Sequence, residues 1–385
     1  MSVPSLTPES AEEAAEALHA AAQAGESVGF VGGGTKQGRG HATPAPDQEL
    51  RTAGLGALLE HNAGDLTAVV QAGLPLAAAR EAFGAEKQML ALDPPNAEGR
   101  ATVGGVFACA DAGPLRHRYG PPRDLVLGVQ LALPDGSVAR AGGRVIKNVA
   151  GYDLAKLSTG ALGTLGLVVE LVVRLHPRPE GTLTAVGESS DPAALARARG
   201  ALACAPLELE CLDVTWAQAR GALLARAAGP AVRAQIARVE ELMAAAGLDV
   251  RREEDDEGVW ETQRAREPPR PGGVSMKVSA PPAALATVLG AAEAAGGHVV
   301  GRAGHGIHWV ALPPAGDADL VAAVAELRAR LGPSPCVVED ASRGVRSALD
   351  PWGVPAGPEL ALMRRVKHRF DPARTCNPGR YVGGI

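Results

Sequence analysis

Three glycine clusters, far apart in the chain, are the residues best suited to chemistry. The first is Gly32-Gly33-Gly34-Thr35-Lys36, directly after the short apolar run 27–31. The second is Ala101-Thr102-Val103-Gly104-Gly105. The third is Gly163-Thr164-Leu165-Gly166, which feeds the β-branched run 167–173. Glycine has no Cβ, so the main chain there can approach something flat or charged, and consecutive loop N–H groups can wrap a pyrophosphate. Lys36 or Arg39 would add positive charge to such a cradle. The first cluster lacks the G-x-x-x-x-G-K-[ST] spacing of a Walker loop. No helix follows it either, because the stretch from His41 to Pro46 breaks the chain. Between the second and third clusters stand Arg118-Tyr119-Gly120 and Lys147-Asn148-Val149-Ala150-Gly151-Tyr152-Asp153.

The elements that must position these loops are short. A helix is expected from Pro8 to about Ala24, with Thr7 as N-cap and Gly25 as the stop. Strands are expected at 27–31, 66–73, 89–95 and 124–133, the last returning as a hairpin over 138–141 through Asp135-Gly136. A helix is expected over 75–83, with proline in its first turn. Alternation of short strands with brief helices is an α+β pattern, not a regular doubly wound sheet. Pro177 and Pro179 then mark a linker. Residues 191–249 are alanine-rich with helical spacing, and the mixed charge run 251–257 reads as a solvated face. With 207–214 included, the later segments read strand–helix–strand–strand–helix–strand, the order of a split βαβ cap. A basic amphipathic helix is expected over 358–370, and no internal repeat is apparent.

Composition narrows the class. A chain of 385 residues with 46% hydrophobic and 21% charged residues is long enough for two or three domains. A net charge of −5 and the lack of a long basic run argue against nucleic acid as a partner. Five widely spaced cysteines (109, 204, 211, 336 and 376) with no C-x-x-C pair are expected to be free thiols, not disulfides or cluster ligands. No signal peptide and no membrane span are expected. That points to the cytoplasm, with contact to the inner membrane only through partners.

Taken together, the motifs resemble the FAD-linked oxidases of the vanillyl-alcohol-oxidase, or PCMH, type, and most nearly the E-subunit branch of bacterial glycolate oxidases. The likeness covers residues 27–175 and 365–385, and the Lys-Asn-Val-Ala-Gly-Tyr-Asp string is its sharpest part. It implies an α+β fold: a PCMH-type FAD-binding domain of two α+β subdomains over 1–178, and a smaller ferredoxin-like α+β cap over 179–345. A C-terminal segment over 346–385 would return to the FAD domain. It also implies FAD contacts from Gly32, Gly33, Gly34, Thr35 and Lys36; from Ala101, Thr102, Val103, Gly104 and Gly105; and from Tyr119, Gly163, Thr164, Leu165, Gly166, Val168 and Asn377. Lys36 stands in the first loop where covalent members carry histidine, so the FAD is expected to be non-covalent. The implied partners are a D-type flavoprotein subunit, an F-type iron–sulfur subunit and a small 2-hydroxy acid.

Oxidising such an acid needs a base for the hydroxyl proton and a cation for the carboxylate. His305 and His308, in Gly304-His305-Gly306-Ile307-His308-Trp309, are the catalytic candidates. Their segment resembles an H-x-G-D-G-N-x-H motif that has lost its Asp and Asn. Two histidines three apart on a strand point to opposite faces, so no metal is expected. Arg302, Arg343 and Arg346 are candidate carboxylate binders. Self-sufficient oxidation of a D-2-hydroxy acid and a non-catalytic assembly role are the other readings.

Overall fold

The computed structural model describes residues 3–95, 99–144, 153–266 and 271–385. Strand β1 (Ser5–Leu6) leads into helix α1 (Ala11–Ala24). The helix starts later than expected: the cap is Ser10, whose Oγ accepts from the Glu13 N–H at 3.1 Å. Thr7 is therefore not the cap, because an Ncap side chain must lie within reach of the N2 or N3 amide. Gly25 ends the helix at φ 70°. Strands β2 (Val28–Val31) and β3 (Gln48–Arg51) join β1 in a parallel sheet of order β1-β3-β2. The apolar face of α1, formed by Ala14, Ala15, Leu18 and Ala21, packs in one core cluster with Val28 and Leu50.

The second subdomain runs β4 (Leu58–Asn62), β5 (Thr67–Gln71), α2 (Leu76–Ala85), β6 (Gln88–Met89), α3 (Val103–Cys109), α4 (Arg116–Tyr119), α5 (Pro122–Leu125), β7 (Val126–Ala132), β8 (Val138–Gly142), α6 (Leu154–Ser158) and β9 (Leu167–Arg174). Its antiparallel sheet has the order β4-β5-β9-β7-β8. Central β9 serves both subdomains. Leu167 and Val169 pack with α1, while Val168, Leu171 and Val173 pack with α2 and α3. The side-chain parity switches where the β7–β9 register shifts between Gln130 and Leu131, as a bulge requires. The strand expected over 89–95 is reduced to β6, which pairs with β10 (His176–Pro177). Residues 145–152, most of the Lys-Asn-Val-Ala-Gly-Tyr-Asp string, lie outside the described residues.

The cap is larger than expected and internally doubled. It runs β11 (Thr182–Ser189), α7 (Pro192–Cys204), β12 (Leu209–Ala217), β13 (Arg220–Ala228), α8 (Val232–Ala245) and β14 (Asp249–Glu253), then α9 (Glu257–Ala265). It continues β15 (Val274–Ser279), α10 (Leu285–Ala294), β16 (His298–Arg302), β17 (Ile307–Leu312), α11 (Asp317–Leu331) and β18 (Cys336–Asp340). The hydrogen-bonded order is β14-β11-β13-β12-β16-β17-β15-β18. Each half is thus one strand–helix–strand–strand–helix–strand unit with its own strands ordered 4-1-3-2. The two halves meet at their second strands through Val214↔Gly301, Thr215↔Val300 and Trp216↔Val299. Helices α7, α8, α10 and α11 contribute to one apolar cluster. Helix α9 lies on the opposite face, where Trp260 meets Val186, Cys211 and Leu224.

Two expectations change here. The alanine-rich stretch 191–249 holds strands β12 and β13 as well as helices. The charge run is not all solvated either: Asp256 is buried, accepts from Thr184 Oγ1 at 2.7 Å and pairs with Arg226 at 3.0 Å. Helices α12 (Arg343–Ala348) and α13 (Pro358–Phe370) lead the chain back to the first subdomain. No helix among the described residues is long and apolar enough to cross a membrane.

Candidate active site

The three glycine clusters converge on one cleft between the two subdomains. The first loop leaves β2 at its C-terminal end, and the second begins α3, with Thr102 Oγ1 capping the Gly105 N–H at 3.1 Å. These loops stand back to back. A Cβ on Gly33 would lie 1.7 Å from the Arg100 carbonyl oxygen, and one on Gly32 would lie 2.6 Å from Thr102 Oγ1. The third cluster contributes Gly163 at φ +72°, where a Cβ would lie 2.7 Å from the Phe30 ring.

The tail closes the cleft. Asn377 Oδ1 accepts from the Phe30 N–H at 3.2 Å, and its Nδ2 donates to the Leu162 carbonyl at 2.8 Å. Arg380 donates to the Lys36 carbonyl at 2.7 Å and the Arg39 carbonyl at 3.0 Å. Lys367 Nζ, buried in α13, donates to the Thr164 carbonyl, the Cys376 carbonyl and Asp371 Oδ2 at 2.7, 3.0 and 2.5 Å.

Charge is concentrated where the cleft meets the cap. Arg39 is buried, donates to the Cys109 carbonyl at 2.9 Å, and pairs with Glu339 of β18 at 2.7 Å and Asp111 at 3.5 Å. Lys36 pairs with Asp111 at 3.1 Å. Burial pushes the Asp111 carboxyl up, but Arg39 and then Lys36 outweigh it and hold the group below the usual range. Trp309 of β17 donates Nε1 to Glu339 at 3.0 Å. Burial lifts the Cys109 thiol above its ordinary value, so it stays protonated near neutral pH.

Of the expected FAD residues, Gly32, Gly33, Gly34, Thr35, Lys36, Ala101, Thr102, Gly104, Gly105, Gly163, Val168 and Asn377 line the cleft. Five others do not. Val103 is in the core beneath the sheet, and Leu165 is buried. Thr164 is turned inward to the Ala161 carbonyl, and Gly166 follows it at φ +143°. Tyr119 lies at the seam with the cap, its hydroxyl donating to Glu210 at 3.0 Å. Sequence reasoning missed Phe30, Cys109, Asp111 and Arg380, which also line the cleft. Only Cys109 carried a signal, its nearness to the second glycine cluster.

The cap histidines separate, but not by strand parity: only His308 is on a strand, and His305 lies on the turn before it. His305 is exposed, on the hairpin between β16 and β17, and its ring meets His117 of α4 edge-on at 5.2 Å. His308 is fully buried, with neither ring nitrogen hydrogen-bonded among the described residues, and burial followed by the Arg302 charge pushes it down to about 4. Arg302 is also fully buried; it pairs with Asp213 at 2.8 Å and stacks 4.8 Å from the Trp309 ring. Arg346 donates to the main chain at Gly40 and His41, and Arg343 is exposed.

The residues present fit a dinucleotide. Among the described residues, none of the amides from Gly33 to Gln37 donates to a protein acceptor, and two cations stand beside them. Residues 5–142 match the FAD binding domain family, and residues 356–381 match the C-terminal domain of FAD linked oxidases. The chain is 39% identical over 127 residues to glycolate oxidase subunit GlcE of Escherichia coli, covering 33% of this chain but only 36% of that protein. It is 28% identical over 366 residues to D-2-hydroxyglutarate dehydrogenase of Xanthomonas citri, covering 84% of this chain and 77% of the relative. Among solved structures, an alkyldihydroxyacetonephosphate synthase superposes with a TM-score of 0.73 at 15% identity, over 97% of this chain and 75% of that one. The chain thus carries segments similar to the FAD binding domain and to the C-terminal domain of FAD linked oxidases, on a fold shared with solved structures over nearly its whole length, and FAD is its cofactor.

Proposed function

We propose that the chain is the FAD-binding subunit of a glycolate oxidase-type complex. It would take part in oxidising a 2-hydroxy acid, glycolate to glyoxylate, beside a D-type flavoprotein subunit and an F-type iron–sulfur subunit. The observation that carries this reading is the single cleft assembled from three distant glycine loops and the tail, in a chain whose matched segment is 39% identical to GlcE. The domain division at 178 and 345 belongs to the same proposal.

When bound, FAD supplies the ring that accepts hydride from the carbon bearing the hydroxyl. The free amides from Gly33 to Gln37 would take the diphosphate, with Lys36 and Arg39 adding charge. Val168 and Asn377 would flank the nucleotide from the other side. His305 would accept the hydroxyl proton on an imidazole nitrogen. Burial, followed by the charges of Arg116 and Arg302, lowers its pKa, so the ring is neutral and able to accept near pH 7. His308, the other candidate, is enclosed and neutral, and its role would be to set the hairpin by packing on Gly301. The FAD would be non-covalent. Among the described residues no histidine lines the cleft, and Cys109 is held as a thiol. Acid precipitation should leave the yellow colour in the supernatant; a coloured pellet would show a covalent link.

The pure chain should be yellow and should not bleach with glycolate alone in the absence of oxygen. It should co-elute with a co-expressed D-type subunit on a sizing column, and failure to do so would weaken the subunit reading. A second reading, a self-sufficient D-2-hydroxy-acid dehydrogenase, is favoured by the 366-residue alignment with D-2-hydroxyglutarate dehydrogenase. Bleaching of the isolated chain by glycolate or D-lactate would establish it. A preparation that stays colourless when soaked in FAD would instead leave a non-catalytic assembly subunit.

A further inference from the structure

The basic helix α13 has an inner face that the fold uses and an outer face that it leaves bare. On the inner face, Leu360 is buried in a small cluster with Val382 and Ile385. Lys367, two turns on and so on the same side, is buried and donates to the Thr164 and Cys376 carbonyls. Arg364 Nη2 donates to the Gly383 carbonyl at 3.1 Å and fixes one flank. The outer face carries Leu362, Arg365 and Arg369, spaced three and four apart and all exposed. Met363 stands beside them, and Val354 lies on the segment that leads into the helix. Of the six exposed large hydrophobic side chains among the described residues, three are Val354, Leu362 and Met363, with 46%, 52% and 40% of their surface open. That concentration within residues 354–363 makes a patch, unlike the single exposed apolar residues scattered over most surfaces.

The charge on this face is uncompensated. Among the described residues, Arg365 and Arg369 have neither an ion-paired nor a hydrogen-bonded partner, and Arg364 and Arg374 donate only to main-chain carbonyls. The one acid of the helix, Glu359, sits in its first turn, at the far end from Arg369. Asp371, just beyond the helix, is already held by Lys367. Exposed arginines on the cap helices are neutralised instead: Arg197, Arg233, Arg238 and Arg330 each pair with a carboxylate. A chain of net charge −5 thus gathers bare cations beside bare apolar side chains. That mixture matches an anionic lipid surface, where headgroup phosphates take guanidinium groups and apolar side chains enter the acyl boundary. An acidic protein is the poorer fit. A stable protein interface buries about 800 Å² a side around an apolar core, which three side chains on a convex helix, interrupted by arginines, do not form.

We propose that the outer face of α13, through Arg365, Arg369 and Leu362, docks the folded chain on an anionic lipid bilayer. The contact is direct, without a partner subunit, and reversible, because a few cations and inserted side chains hold far less firmly than a spanning helix. The negative charge of the rest of the molecule turns it away from the bilayer, so the chain sits in one orientation. The proposal does not depend on the hydroxy-acid reading.

The test uses the full FAD-loaded chain and sedimentation with vesicles of phosphatidylcholine, alone or mixed with phosphatidylglycerol. The parent should sediment with the mixed vesicles at low salt, stay in solution with phosphatidylcholine alone, and be released by high salt. Arg365→Gln with Arg369→Gln should weaken binding roughly thirtyfold, the loss of two cations at a charged bilayer surface. Leu362→Ser should weaken it at every salt concentration, which charge alone would not produce. FAD content and melting temperature should match the parent in both variants, because all three side chains are exposed. Inorganic phosphate should release no more chain than chloride at the same ionic strength; selective release by phosphate would make the face a site for the free ion and sink the lipid proposal. A parent that does not bind the mixed vesicles, or a double variant that binds them equally well, overturns it. So does a parent that leaves the vesicles alone yet holds a co-expressed D-type subunit that the double variant releases, since the face is then a protein interface.

Discussion

His308 carries its cost in acid. An unfolded chain protonates this ring near 6.5, but the folded one resists until about 4. Between those values the unfolded state binds more protons, so stability falls as pH drops through the window and is unaffected above it. The loss amounts to something on the order of 3 kcal/mol at full effect. Replacing His308 with methionine should flatten that part of the denaturation profile; an unchanged acid slope would show that other groups set it. The glycines invite a second experiment. Gly33→Val with Gly104→Val should abolish flavin retention, because the added groups would meet the Arg100 carbonyl and the Ala72 side chain, and the melting temperature should fall with it. A yellow double variant would count against the loops. Both glycines were legible in the sequence because each cluster is local. His117 was not, because its partner His305 lies in another domain and no spacing announces the pair.

Helix α13 shows what a helix does beyond packing. Its Lys367 neutralises the buried Asp371, and Asp371 in turn accepts from the Thr375 and Cys376 amides at 2.9 and 2.8 Å. The lysine also ties this turn to Thr164 of the third glycine cluster. Lys367→Met would strand the carboxylate. We expect a destabilisation of about 3–5 kcal/mol, as for other broken buried pairs, together with faster FAD loss on dilution. A variant that melts with the parent would show that the Lys367–Asp371 pair does not hold this turn. The helix itself was readable from its apolar spacing over 358–370, and the observed bounds agree. Other elements were less so. The 101–105 segment looked like a loop, yet Thr102 caps a helix there. The 89–95 run is apolar until Asp93 and stopped by prolines, but only Met89 finds a pairing strand.

Across the whole molecule, the cap is fastened by charge. Arg39 on the cofactor loop reaches Glu339 on β18, and Glu339 also receives Trp309, so cleft and cap share one buried link. Glu339→Gln keeps the shape but removes the charge. It should loosen the seam, seen as faster limited proteolysis between the domains and weaker FAD retention; unchanged proteolysis would place the docking energy elsewhere. The second half of the cap could be read from sequence, and in the first half the strand over 207–214, which is β12. In the first half β13, Arg-Gly-Ala-Leu-Leu-Ala-Arg-Ala-Ala, is buried along most of its length, so it shows no alternation, and its small residues look helical. The doubling has a consequence for how either half would behave alone. Each half has its second strand at its edge, one side paired within the half and the other side meeting its counterpart, so cutting the halves apart bares an edge on both. Expressed on its own, residues 274–340 should therefore not stay solitary, because the bared strand would seek a twin and rebuild the eight-stranded sheet as a homodimer with a twofold axis.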